Sequence, residues 1–278
     1  MSNFVTVGEL KTLLDEGAPV RVIDVRWRLE RPDGRPEYLE GHVPGAVFVR
    51  LDEELATHGE PSEGRHPLPS TEKLQAAARR WGVRTGDVVV VYDDMRGIAA
   101  ARAWWLLRQG GVDAKVLDGG IRAWKAAGYD IATDDVVPDE GDVVLREIGA
   151  EAISIDEAAA FPASGVLLDV RAAERYRGDT EPYDPVAGHI PGAVNLPSTL
   201  HVDSDGMILD HDALRATFAS AGVVPGTPAA AYCGSGVTAA HTALVADEIG
   251  LDVKVFPGSW SQWSNTPGRA VATGDQPG

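Results

Sequence analysis

The chain has 278 residues, 44% hydrophobic and 24% charged, the make-up of a soluble globular protein long enough for one large or two ordinary domains. Lys plus Arg total 25 against 42 Asp plus Glu, a formal net charge of −17, which argues against nucleic acid or an anionic membrane as partner and means that an anionic substrate needs a local cation. No apolar run reaches 18 residues, Met1 to Leu14 lacks the charged-then-apolar pattern of a secretory signal, and one cysteine excludes an internal disulfide framework, so the cytoplasm is the expected compartment.

In chain order, Val7 to Glu16 predicts a helix and Val20 to Val25 a strand. Thr71 to Trp81 reads as a helix opened by the capping residue Ser70, Val88 to Tyr92 as a strand, Gly97 to Gln109 as a helix and Lys115 to Leu117 as a strand. Residues 132–149 are acidic, carry Pro138 and Gly141 and lack sustained periodicity; they read as a linker between a domain over 1–131 and another over 150–278. The second domain repeats the alternation: helix Ile155 to Phe161 behind Ser154, strand Val166 to Val170, helix His211 to Ala221, strand Ala229 to Tyr232, helix Thr238 to Ile249 and strand Val253 to Phe256. Short apolar runs alternating with helices predict an α/β fold, each domain a mainly parallel sheet flanked by helices.

The two halves share more than an alternation. Val22-Ile23-Asp24-Val25-Arg26 returns as Leu167-Leu168-Asp169-Val170-Arg171, and Gly41-His42-Val43-Pro44-Gly45-Ala46 as Gly188-His189-Ile190-Pro191-Gly192-Ala193. Asp118-Gly119-Gly120-Ile121-Arg122-Ala123-Trp124 answers Pro257-Gly258-Ser259-Trp260-Ser261-Gln262-Trp263. Matches in the same order, about a domain length apart, mean a duplicated domain. The copies differ at one strand end, where Asp93 stands in the first and Cys233 in the second. A lone cysteine is by default a small buried hydrophobe. Cys233, however, opens Cys-Gly-Ser-Gly-Val-Thr between a strand and a helix, where backbone N–H groups and the positive end of the helix face the sulfur. Such settings lower a cysteine pKa from about 8.5 to roughly 3.5–7.5, and thiolate is the nucleophilic form. In parallel α/β sheets, ligands bind at the carboxyl ends of the strands, where this residue falls.

With these motifs the chain resembles the two-domain rhodanese-type sulfurtransferases over essentially its whole length. The resemblance implies an inactive first domain, with Asp93 at the cysteine position, and a catalytic second domain whose loop runs from Cys233 to Thr238. The uncharged loop Cys-Gly-Ser-Gly-Val-Thr is similar to that of the 3-mercaptopyruvate branch; the thiosulfate-specific branch tends to carry Arg or Lys there. It implies that Arg175 holds the donor's carboxylate, that Gly234, Gly236, Val237 and Thr238 line the donor site, and that Ser235, His42 and Asp33 form a proton relay. The alternative for His42 is a motif histidine that shapes its own loop, and Arg171 reads as a structural partner of nearby carboxylates. The second carboxylate-binding arginine of the family, just before the second Gly-His motif, is missing: that stretch is Glu181-Pro182-Tyr183-Asp184-Pro185-Val186.

The implied reaction carries sulfur on a Cys233 persulfide to a thiol or cyanide, a thioredoxin-like reductant being one such acceptor. Two readings compete within it, thiosulfate as donor and a persulfide carrier without turnover. A cysteine phosphatase would need arginine at the sixth position beyond the cysteine, where Ala239 stands. His58, His66, His201, His211 and His241 show no metal-ligand spacing and default to solvated surface; no metal or cofactor is expected. The tryptophans read as packing residues first, Trp260 included.

Overall fold

A computed structural model describes residues 2–278 as two compact units, each built on its own parallel sheet. Unit 1 comprises residues up to Thr57, Leu68–Ala150 and Ser204–Ile208; unit 2 comprises His58–Pro67, Glu151–Asp203 and Leu209–Gly278. Each unit therefore takes in one short segment, residues 204–208 or 58–67, from the other half of the sequence.

Unit 1 runs β1 (Phe4–Val5), α1 (Val7–Asp15), β2 (Val20–Asp24), α2 (Arg35–Glu40), β3 (Val47–Phe48), α3 (Leu51–Glu54), α4 (Thr71–Arg80), β4 (Val88–Tyr92), α5 (Ile98–Gln109), β5 (Asp113–Leu117) and α6 (Gly120–Ala126). The sheet order is β1-β5-β4-β2-β3, every pair parallel. Unit 2 follows with α7 (Ile155–Ala160), β6 (Val166–Asp169), α8 (Ala173–Arg177), β7 (Val194–Asn195), α9 (His211–Ser220), β8 (Ala229–Tyr232), α10 (Val237–Glu248), β9 (Val253–Val255) and α11 (Ser259–Ser264), in sheet order β7-β6-β8-β9. A parallel bridge of Ala152 to Val255 stands where unit 1 has β1 beside β5. The central strands β4 and β8 are buried on both faces, which is why they are unbroken runs of Val or Ala.

The repeated motifs hold each sheet to its loops in the same way twice. Asp24 and Asp169 sit fully buried at the ends of β2 and β6 and bind Arg26 and Arg171 through Nε and Nη2. Each arginine's Nη2 then donates to the carbonyl of the motif glycine, Gly41 or Gly188. The motif histidines follow suit. His42 stacks on Tyr38 at 4.0 Å with Nδ1 2.9 Å from that residue's carbonyl; His189 stacks on Tyr176 at 3.7 Å with Nδ1 2.8 Å from its carbonyl. The two tyrosine hydroxyls close the loops on the carbonyls of Ala46 and Ala193. At the strand ends, Tyr92 and Tyr232 accept the N–H of Val43 and Ile190. Both Asp-Val-Arg and Gly-His-x-Pro-Gly-Ala are thus parts of one buried polar network, in which Nε2 of each motif histidine is the atom left without a hydrogen-bond partner.

Residues 132–149 form no regular element, but Val143 and Leu145 are buried and Gly141 N–H donates to the carbonyl of Arg79. Packing onto unit 1 therefore needs no helical or strand periodicity, and none is present in that stretch.

Candidate active site

Cys233 follows β8 directly, and α10 starts four residues later. The turn between them works because Gly236 takes φ +82° as the cap of α10; a Cβ there would lie 2.2 Å from the Pro257 carbonyl oxygen. Gly236 N–H points back at Cys233 Sγ, 3.1 Å away. A second loop braces the first: Trp260 N–H donates to the Cys233 carbonyl, Ser261 N–H to the Gly234 carbonyl, and Cys233 N–H to Ser259 Oγ. Ser259 holds φ +53°, rare for a serine, and its Oγ stands 3.9 Å from the sulfur. Cys233 is 3% exposed and Ser235 7%, while Gly234 and Thr238 are half-buried.

Unit 1 shows what such a turn can hold. Asp93, at the end of β4, accepts N–H groups from Met95, Gly97, Ala99 and Ala100 at 2.7–3.0 Å. Burial pushes its carboxyl up, against the pull of those amide donors. Gly97, with φ +81°, caps α5 as Gly236 caps α10. The duplicated turn therefore aims amide donors at the group that stands at the strand end: the Asp93 carboxyl in unit 1, the Cys233 sulfur in unit 2.

On the other side of the loop, Arg175 of α8 brings Nη1 within 3.3 Å of where a Gly234 side chain would begin. Glu181 orients it, accepting from Nε and Nη2 at 2.7–3.2 Å, and also takes Arg171 Nη1 at 3.2 Å. Arg171 is held by Asp169 and stacks over Trp260 at 4.6 Å, in keeping with its expected structural role. Trp260 is fully buried and donates to the Val186 carbonyl.

Two of the residues expected in the relay, His42 and Asp33, belong to unit 1. His42 has no exposed surface, and its ring is fixed by Tyr38 in the same pose as His189 by Tyr176. Its nearest acidic partner is Asp134, 3.8 Å from Nε2. Asp33 is exposed and accepts the N–H of Arg35, an Asx turn leading into α2. Both side chains bond to residues near them in the chain, and His189 repeats the pose of His42 in unit 2. Three of the histidines assigned to solvated surface are buried instead: His66 at 5%, His201 at 0% and His241 at 2%. Sequence reasoning also missed Ser259, which takes the Cys233 N–H, Glu181, which orients Arg175, and Arg65 and Asp184, which pair with each other from distant parts of the chain. Only the equivalence of the Gly119 and Gly258 turns could have pointed to Ser259.

Residues 6–127 and 154–266 each match the family described as Rhodanese-like domain, and the chain belongs to that family. It is 46% identical over 274 residues to SseB of Mycobacterium tuberculosis, provisionally named a thiosulfate sulfurtransferase, covering 97% of this chain and 96% of that one. It is 35% identical over 260 residues to the 3-mercaptopyruvate sulfurtransferase of Escherichia coli, covering 88% and 89%. Among solved structures it resembles SseA from Escherichia coli, TM-score 0.80 and 32% identity over 94% of this chain and 99% of that one, and the 3-mercaptopyruvate sulfurtransferase from Leishmania major, TM-score 0.81 and 28% identity over 94% and 74%. No helix among the described residues is long and apolar enough to cross a membrane.

Proposed function

We propose that the chain is a sulfurtransferase that takes sulfur from 3-mercaptopyruvate and hands it to a thiol or cyanide. The observation that carries this is the duplicated turn, which holds the Asp93 carboxyl at the β4 end in unit 1 and a lone sulfur at the β8 end in unit 2. The Cys233 thiolate attacks the donor's sulfur; a sulfur–sulfur bond forms, the carbon–sulfur bond breaks, and its electron pair leaves on the pyruvate enolate. That enolate takes a proton, which Ser235 of the loop relays. N–H groups of residues 234 to 238 hold the persulfide as an anion, as an oxyanion hole would. An acceptor thiol then attacks the outer sulfur and returns the Cys233 thiolate.

The donor is chosen by where the cations stand. No charge lies in the loop itself, and the guanidinium of Arg175 is set to one side of it. That arrangement suits a carboxylate displaced from the transferred sulfur, as in 3-mercaptopyruvate. Thiosulfate is the second reading, favoured by the name of the 46% identical relative. A thioredoxin-like reductant fits as acceptor and the cytoplasm as compartment, since a single thiol must be kept reduced to work. Pyruvate release from 3-mercaptopyruvate and sulfite release from thiosulfate, measured in parallel with dithiothreitol as acceptor, test the assignment. A catalytic efficiency at least about tenfold higher for 3-mercaptopyruvate supports it. The reverse ratio assigns thiosulfate, and persulfide formation without turnover assigns a carrier.

A further inference from the structure

The amino ends of β6, β8 and β9, opposite the strand end that Cys233 follows, border a hollow of about 650 Å³ in unit 2. Its apolar wall includes Ile153, Phe161, Val224, Pro228 and Leu251, and its charged groups are Glu157, Asp252 and Lys254. The hollow goes with a shortened helix. In unit 1 the first helix, α1, runs nine residues; its counterpart α7 stops after six and passes into a 3-10 turn at Phe161–Ala163. Pro162 in that turn has no N–H with which to continue the α-helical ladder.

Unit 1 supplies partners for the charges that unit 2 leaves open. Lys115 stands against Val90 of the central strand as Lys254 stands against Ala230, and an aspartate, Asp113 or Asp252, stands two positions before each lysine. In unit 1, Lys115 Nζ donates to the Ser2 carbonyl at 2.6 Å, and Asp113 lies 3.9 Å from Arg108 of α5. The equivalent position of α10, equally far beyond its cap glycine, holds Asp247 in place of that arginine. Neither Asp252 nor Lys254 forms a hydrogen bond or ion pair among the described residues. Glu157 differs from them, since it accepts Ser154 N–H at 2.7 Å in the cap of α7, as Glu9 accepts Thr6 N–H in that of α1. An unpaired ammonium and an unpaired carboxylate therefore stand on the wall of one apolar hollow.

We propose that this hollow binds a zwitterionic α-amino acid with a large apolar side chain. Lys254 takes its carboxylate, Asp252 takes its ammonium, and its side chain covers Ile153, Phe161, Val224 and Leu251. Small-molecule sites are in general apolar clefts of roughly 300–1,000 Å³ in which a few polar groups fix the ligand's orientation. A ligand of one sign pairs only one of the two ions and meets the like charge of the other, which selects for the zwitterion. The site stands before β8 and the thiol after it, so this ligand is not the sulfur donor.

Isothermal titration of the full chain with L-phenylalanine, 3-phenylpropionate and phenethylamine tests this, because the second lacks the ammonium and the third the carboxylate. Phenylalanine is expected to bind at least about tenfold tighter than either. Lys254→Met should weaken phenylalanine and phenylpropionate about tenfold and leave phenethylamine unchanged. Asp252→Asn should weaken phenylalanine and phenethylamine by about as much and leave phenylpropionate unchanged. Both side chains are exposed, so the variants are expected to unfold at the wild-type urea midpoint. Phenylpropionate or phenethylamine binding as tightly as phenylalanine overturns the proposal. So does phenylalanine binding that neither variant alters, a loss that is equal for all three ligands, or no saturable heat from phenylalanine or L-leucine up to about 10 mM.

Discussion

Gly236 makes the tightest demand of any residue in the loop. Its positive φ and the 2.2 Å approach of the Pro257 carbonyl to any added Cβ leave no room for alanine. Gly236→Ala must displace the N–H that faces Cys233 Sγ, so pyruvate release is expected to fall about 100-fold or more, as when one oxyanion-hole donor is lost. Steady-state kinetics on the variant check this; near-wild-type turnover would mean that the amide is not used. His42 leads to the opposite expectation. Removing its buried ring deletes the stack on Tyr38 and a buried hydrogen bond, so His42→Ala is expected to lose about 2–4 kcal/mol of stability by urea unfolding. Turnover per folded molecule should stay near that of the wild type. A relay role would instead collapse turnover and leave stability intact.

At the scale of elements, the long helices and central strands were legible because their signals are local. Ser70 and Ser154 cap α4 and α7 as expected, and Val88–Tyr92 and Ala229–Tyr232 are the strands that their apolar runs predict. The two-residue strands β1, β3 and β7 are too short to show a period, and α8 and α11 are short helices set by the loops around them. Burial of His201 was invisible for a related reason, since Phe218 and His241 reach it from α9 and α10. Neither of its ring nitrogens has a hydrogen-bond partner, and burial, with His241 nearby, pulls its pKa down to about 3. The unfolded chain takes up this proton as pH falls below the ordinary value of 6.5, and the folded chain does so only near its depressed value. Stability from this residue is therefore complete above that ordinary value and drains as pH falls toward the depressed one. Between pH 7 and pH 5 the loss is about 2 kcal/mol. Urea unfolding at both pH values should show His201→Leu losing less stability than the wild type by about that amount. Equal losses would place the His201 ring in contact with water.

At the scale of the molecule, one domain written twice let the sequence report its own difference. The shared motifs proved to be the scaffold that ties Asp24 to Gly41 and Asp169 to Gly188, while the copies part at Asp93 and Cys233. That difference is why Cys233 and its loop stood out in the sequence, whereas a motif kept in both copies, such as the one around His42, serves the fold that both copies share. Arg65 stayed hidden because its partners Ser261 and Asp184 stand far along the chain from it. The most direct check is the intact mass of the protein after exposure to 3-mercaptopyruvate alone, for the wild type and for Cys233→Ser. The wild type should gain the mass of one sulfur atom as one equivalent of pyruvate appears, and the variant should gain none and release none. A sulfur adduct on Cys233→Ser, or pyruvate released at the wild-type rate without Cys233, would contradict the account.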